Sequence, residues 1–350
     1  MSSGNIQVNA SNVNNGLRAS GNRVSQFSYI RVIACFAIVL LHCVNSARVY
    51  HADAISAAET TAAHAACAAL MWAVPCFLMV TGALLLDRER VIPASKLFGK
   101  YIRRVATALI VFTLIFTFIK RGSTSLEGFG KEFLDGLLHN HCMAYLWYLY
   151  LMIVLYLLMP LFKLVVNHLT DKQLGWLAAV LLVICSALPL ASYLGYDEVL
   201  RIPTQIVYGV YPLLGFLLYR HKMDARLAAA LFVICTIALP LMTHTLLQTD
   251  IDPSGLTAYN SPAVVLQSMA AFSLMLSIKR PAKGLIEDLD RCTFGVYLIH
   301  MIFIRLLMRE YGFDPFDLGA VCFVELAIVF FFISASITYV LKKIRIFDFL

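Results

Sequence analysis

Apolar residues come in blocks along this chain. From residue 29 onward, runs of Leu, Ile, Val, Phe and Ala alternate with short polar stretches. The runs are about twenty residues long, the length of helix that crosses a hydrocarbon layer and well beyond an ordinary strand. Ten helices are predicted, at about 29–49, 66–86, 104–119, 144–162, 174–193, 206–219, 227–247, 261–278, 292–308 and 319–341. The sixth contains Pro212 and the seventh Pro240. The pattern predicts an all-α polytopic membrane protein, a single domain over 27–345 built as a bundle of about ten transmembrane helices. Residues 1–26 are rich in Ser, Asn and Gly, with Arg18 and Arg23 as their only charges. That composition predicts a disordered tail. No element recurs at a fixed period, which excludes a solenoid.

Composition sharpens the class. The chain is 60% hydrophobic and 14% charged, against about 25% charged in soluble domains. A net charge of +7 would suit a nucleic-acid partner, but the placement of the charges argues otherwise. With the N-terminus set in the cytoplasm, 21 of the 28 Lys and Arg fall on the inner side, in the tail, at Arg31 where the first helix enters, in loops 87–104, 163–172, 220–226 and 279–291, and at the C-terminal end. The other 7 are Arg48, Lys120, Arg121, Lys131, Arg201, Arg305 and Arg309. A three-to-one bias predicts both termini in the cytoplasm and accounts for the basic balance without nucleic acid. The nine cysteines form no CxxC pair and fall mostly inside apolar blocks, where cysteine is a small hydrophobe. His139 and His141 show no ligand pattern, and no metal is expected.

Candidate chemistry begins in "IRVIACFAIVLLHC", residues 30–43. Arg31 and His42 are eleven residues apart, three turns plus about 20°, so they share a face and lie about 16 Å apart along the axis. Ala34, Cys35 and Ile38 lie between them on that face, and Asn45 follows. The opposite face of Val, Phe and Leu suits lipid. Ionisable residues that face a bundle interior mark function, and a buried imidazole suits a general base or an acyl carrier. The plainer alternatives are a snorkelling anchor for Arg31 and a single helix-to-helix hydrogen bond for His42.

The spacing of Arg31 and His42 resembles the Arg-x10-His signature of membrane acyltransferase family 3. "VPCFLMVTGALLL" (74–86), "KYIRR" (100–104), "LWYLYLMIVLYLLMPL" (146–161) and "FGVYLIH" (294–300) resemble further segments of that family, in order, over about 29–310. Thr81 stands where the family usually has Ser. The chain is similar to the inner-membrane O-acetyltransferases of surface polysaccharides, including the enterobacterial common antigen type. The resemblance implies a multi-pass protein of the cell inner membrane that moves an acetyl group from cytoplasmic acetyl-CoA to a hydroxyl of a cell-surface or lipid-linked glycan.

Each part of that task has a candidate, and each candidate has a plainer alternative. Lys100, Arg103 and Arg104, with Arg88, Arg90 and Lys96 just before them, would bind the coenzyme A phosphates; such a cluster is also an ordinary topology signal. The small residues of the first helix and the Thr81–Gly82 pair would pass the thioester arm, although Gly82 also suits helix packing. Trp147 and Tyr148 would meet the sugar, or form an interfacial belt. Tyr297 and His300, three residues apart, would orient the acceptor or His42, or pack as a satisfied pair. Arg31 and His42 are the expected catalytic pair, with His42 either carrying the acetyl or removing the acceptor's proton. Glu325 is the expected counter-charge of Arg305. The thioester is reactive enough that no metal is needed. A transporter of a small molecule or lipid-linked sugar is the alternative function, since a polar stripe in a ten-helix bundle fits it too. A structural scaffold fits the intramembrane Arg, His and Tyr least.

Overall fold

The computed structural model describes residues 25–90, 93–121, 128–193, 203–249, 251–344 and 349–350, and the described residues contain helices and no strand. The tail expected at 1–26 falls outside them except for its last two residues, as do Arg201 and Arg345. The principal helices are α1 (Ser25–Tyr50), α2 (Ala57–Leu70), α3 (Ala73–Leu85), α4 (Arg103–Arg121), α5 (Phe129–His139), α6 (Trp147–His168), α7 (Asp171–Leu182), α8 (Leu188–Tyr193), α9 (Val207–Arg220), α10 (Ala225–Gln248), α11 (Pro262–Leu276), α12 (Leu285–Arg305) and α13 (Ala320–Leu341). Helix α2 runs on into α3 through a turn at Met71 and Trp72, and π-helical turns precede α4, join α7 to α8 and follow α12.

Helices stand at all ten expected positions, but among the described residues eight spans, not ten, are long and apolar enough to cross a membrane. The other two, α9 and α11, have 14 and 15 residues, short of the roughly 20 that a crossing helix needs. Both are packed inside the bundle. Val207, Val210 through Phe216, and Leu218 of α9 are buried. Helix α9 lies so close to α3 that a Cβ on Gly82 would overlap the Pro212 backbone, and one on Gly215 the Met79 backbone. Gly82 is therefore a contact point between helices, the plainer of its two readings.

Two further helices were not expected. Helix α2 begins at a capping box in which Ser56 Oγ accepts from the Glu59 N–H and the Glu59 carboxylate accepts from the Ser56 N–H, satisfying two end donors of the helix. Helix α5 is short and amphipathic, and closes at Asn140 in the left-handed region, φ 55°. Helix α1 also departs from expectation. Val32 and Val39, on the face assigned to lipid, are buried, because α1 is central and touches α2, α3, α11, α12 and α13. The nine cysteines are free thiols, mostly buried.

The charged loops sort to two ends. At one end Asp87, Glu89, Arg90, Arg104, Arg291 and Lys342 border a common cleft. There Asp171 also joins Arg88, Arg220 and His221, three loops held by one carboxylate. At the other end Arg309 lies over Tyr50, His51 faces Asp314, and Lys120 pairs with Glu132. The start of α1 and the end of α13 share the first end.

Candidate functional site

Two parallel helices build the site. Helices α1 and α12 run in the same direction, and their facing stripes meet in register. Arg31 donates from Nε to Asp290 Oδ1 at 2.5 Å and from Nη2 to Oδ2 at 2.8 Å, the two-pronged geometry of a strong guanidinium–carboxylate pair. Ser28 Oγ donates to the same Oδ2 at 2.7 Å. One turn on, Cys35 Sγ lies 3.5 Å from the Thr293 carbonyl oxygen. Two turns beyond that, the rings of His42 and His300 come together, with centroids 5.3 Å apart. Asp290, Thr293, Tyr297 and His300 thus form on α12 the counterpart of the Arg31, Cys35, Ile38 and His42 stripe on α1.

Tyr145 closes the inner end of this line. It sits in the 3-10 turn Ala144–Leu146 that leads into α6. Its ring centroid is 6.1 Å from that of His42, 5.9 Å from His300 and 5.4 Å from Tyr297. Tyr145 Oη donates to the Leu298 carbonyl at 2.9 Å, and Tyr297 Oη donates to the Tyr145 carbonyl at 2.5 Å. The reciprocal pair fixes the turn against α12. His300 Nδ1 lies 2.8 Å from the Val296 carbonyl oxygen. A carbonyl only accepts, so Nδ1 carries the hydrogen and Nε2 of the neutral ring holds a lone pair. That Nε2 is buried and has no hydrogen-bond partner among the described residues, an uncommon state for a buried polar atom.

A cleft of about 950 Å³ opens from the charged end onto this line. Asp87, Glu89, Arg90, Arg104, Arg291 and Lys342 surround its mouth. Arg31, Asp290, Tyr101, Tyr156 and Thr81 line its wall, and the lining residues furthest from the charged end along α1, α6 and α12 are Ile38, Tyr148 and Tyr297. His42 is four residues past Ile38 on α1, about 6 Å further along the helix. The mouth can hold an anion, the shaft an extended apolar or amide-bearing arm, and the histidines lie just past the deep end.

The expected site residues separate into two groups. Arg31, Arg104, Tyr148 and Tyr297 line the cleft, and His42 and His300 meet past its end. Lys100 and Arg103 do not join them: both are exposed and lie outside the cleft. Lys100 is one turn before Arg104, but it sits in the π-helical stretch Leu97–Ile102, and its side chain and that of Arg103 are exposed. Arg88 is also removed from the anion site, since it clips Asp171 and the carbonyls of Val166 and Leu169. Arg104 packs 4.7 Å over the Phe294 ring and donates to the carbonyls of Phe349 and Leu350. Trp147 lies outside the cleft, edge-on to Tyr148 at 6.2 Å and in a cluster with Tyr208 and Tyr259, centroids 5.4 and 5.6 Å distant. Arg305 pairs with Glu310 at 3.2 Å, and Glu325 is exposed.

Asp290 is the main residue that the sequence reading missed. With the ninth helix expected to begin at 292, Asp290 read as a loop charge. Helix α12 begins at Leu285, which puts Asp290 on the helix two turns before Tyr297. Tyr145 was missed because a three-residue 3-10 turn has no apolar periodicity.

The bundle thus holds an ion-paired arginine, two facing histidines and a charged cleft leading towards them. The model of acyltransferase family 3, described as an acyltransferase domain, matches residues 24–341, and the chain belongs to that family. It is a multi-pass membrane acyltransferase, which decides between the transferase and transporter readings of the polar stripe. No curated protein and no solved structure matches the chain.

Proposed function

We propose that this acyltransferase takes an acetyl group from acetyl-CoA held in the cleft from the cytoplasmic side of the inner membrane and transfers it to a hydroxyl of a cell-surface or lipid-linked glycan. The observation that carries the reading is the cleft itself: a cationic mouth, a shaft that runs past Arg31 to Ile38, and a histidine pair beyond its end. Arg90, Arg104, Arg291 and Lys342 suit the phosphates of coenzyme A. Tyr101, Tyr156 and Thr81 suit its pantetheine arm. Asp290 fixes the Arg31 guanidinium on the wall, so that its remaining donors face the arm. The acceptor glycan reaches His42 from the opposite end.

The chemistry has two forms. In direct transfer, His42 takes the proton of the acceptor hydroxyl as its oxygen bonds to the acetyl carbonyl carbon, the carbon–sulfur bond breaks, and the coenzyme A thiolate leaves and takes up a proton. In two-step transfer, a His42 ring nitrogen first displaces the thiolate and carries the acetyl, and the hydroxyl oxygen then displaces the imidazole. His300 braces His42 in both forms. The test is a transfer assay with purified protein in proteoliposomes and acetyl-CoA carrying a labelled acetyl group. Label in the extracted glycan that depends on the protein is the expected result. Coenzyme A that neither binds nor competes would refute the donor assignment.

A further inference from the structure

At the end of the bundle opposite the cleft, Asp135, His139 and His141 converge. Asp135 and His139 are one helical turn apart on α5, so their side chains lie together. Asn140 then ends the helix in the left-handed region, φ 55°, and turns His141 back towards the same carboxylate. His139 Nδ1 lies 3.0 Å from Asp135 Oδ1, and His141 Nδ1 lies 3.0 Å from Oδ2. The two rings stack, centroids 5.4 Å apart at an interplanar angle of 26°.

We infer that Asp135, His139 and His141 form a binding site for zinc or a neighbouring divalent first-row ion. One potential ligand atom from each residue lies within 4.8 Å of the others. An ion with bonds of 2.0–2.1 Å in tetrahedral geometry holds its ligand atoms about 3.3 Å apart; each imidazole already lies 3.0 Å from one of the two Asp135 oxygens, and the three ligand atoms, within 4.8 Å of one another, would draw together around the ion. Two imidazoles and a carboxylate suit zinc and its neighbours better than calcium or magnesium, which favour all-oxygen sets. A cavity of about 20 Å³ adjoins the site, bordered by Glu132, Asp135, His141 and Cys142 among others. It has room for one water molecule, the usual fourth ligand when the protein supplies three.

The site has a structural consequence. Gly136 of α5 packs against Cys142 and Thr113, and Tyr150 Oη donates to the Leu137 carbonyl at 2.5 Å. The segment from Asn140 to Leu146 carries Tyr145 to the two histidines. A metal at His139 and His141 would tie the end of α5 to the start of that segment and hold Tyr145 in place. This inference does not depend on the identity of the donor or the acceptor.

The test uses the full chain, purified without a histidine tag and dialysed against chelator, and titrated with Co²⁺ as a spectroscopic probe. Uptake of one equivalent with the visible bands of a four-coordinate ion, displaced by Zn²⁺, is expected. D135N, H139A and H141A should each weaken uptake by at least about tenfold, since even outer-shell ligand partners matter to that degree. Zn²⁺ should raise the melting temperature of the wild type and leave that of the H139A/H141A double variant unchanged. These exposed residues can be replaced without disturbing the fold, so the variants report on binding. Absence of stoichiometric Co²⁺ uptake by the wild type, or equal uptake by the double variant, would overturn the site.

Discussion

Removing Arg31 should damage the fold more than removing Asp290, although the two form one ion pair. The reason lies in what each deletion leaves behind. Arg31→Ala removes two guanidinium bonds from the Asp290 carboxylate, whose side chain is 1% exposed and to which Ser28 Oγ still donates. Asp290→Ala leaves the Arg31 guanidinium, 21% exposed at the cleft wall and in reach of water. Breaking a buried pair by deleting one partner costs about 3–5 kcal/mol. Arg31→Ala should lie at the top of that range. Asp290→Ala should lie near about 3 kcal/mol, because cleft water solvates the orphaned cation. The double variant should cost less than Arg31→Ala alone, with a coupling of about 2–3 kcal/mol. Equilibrium unfolding in mixed SDS–detergent micelles gives all four corners of the cycle. Costs that add to within about 0.5 kcal/mol would mean that the residues do not interact, and a costlier Asp290→Ala would mean that the exposure argument is wrong.

Other consequences follow from the same geometry. Lys100→Ala with Arg103→Ala should leave coenzyme A affinity within about twofold, while Arg104→Ala should weaken it at least tenfold, about 1.4 kcal/mol, in a salt-dependent manner; calorimetric titration measures both, and the opposite ranking would place the anion site outside the cleft. Gly82→Ala and Gly215→Ala should each destabilise the bundle by at least the 1–3 kcal/mol typical of overpacking, whereas Gly175→Ala, with open space around it, should be neutral or stabilising; unfolding midpoints decide. A cysteine placed at position 96 of a cysteine-free background should resist an impermeant thiol reagent in intact cells and react in inverted vesicles, and labelling from outside would reverse the assigned topology.

Much of this architecture was legible in the pattern of apolar residues, because a lipid solvent imposes long uninterrupted runs. All ten expected helices appear, and the Arg31-to-His42 stripe lies along the cleft because eleven residues on a helix return to one face. The failures have physical causes. Helix α2 was read as loop through residue 65 because its alanines are only weakly apolar, although Ser56 and Glu59 carry a capping signal. Helix α12 was started seven residues late because its first two turns hold Glu287, Asp288 and Asp290, and a hydropathy window stops at charges that a helix inside a bundle can pair. Lys100, Arg103 and Arg104 are adjacent in sequence, yet only Arg104 lines the cleft, and the π-helical stretch that holds Lys100 has no signature in the apolar pattern. The contact between Asp135 and His141 depends on a single left-handed residue, Asn140, and no helical periodicity extends through such a turn.

His42 stands at the centre of the account, past the deep end of the cleft and against His300. The decisive measurement is acetyl transfer by purified His42→Ala protein, alongside its coenzyme A affinity and melting temperature. The expected result is a rate lower by about 10²–10⁴-fold, the contribution of a general base, or by more if His42 carries the acetyl. Coenzyme A affinity should be unchanged, because the cationic mouth lies about three helical turns away. Transfer at close to the wild-type rate by a variant that folds and binds normally would contradict the assignment and leave His300, with its unpaired Nε2, as the group to test.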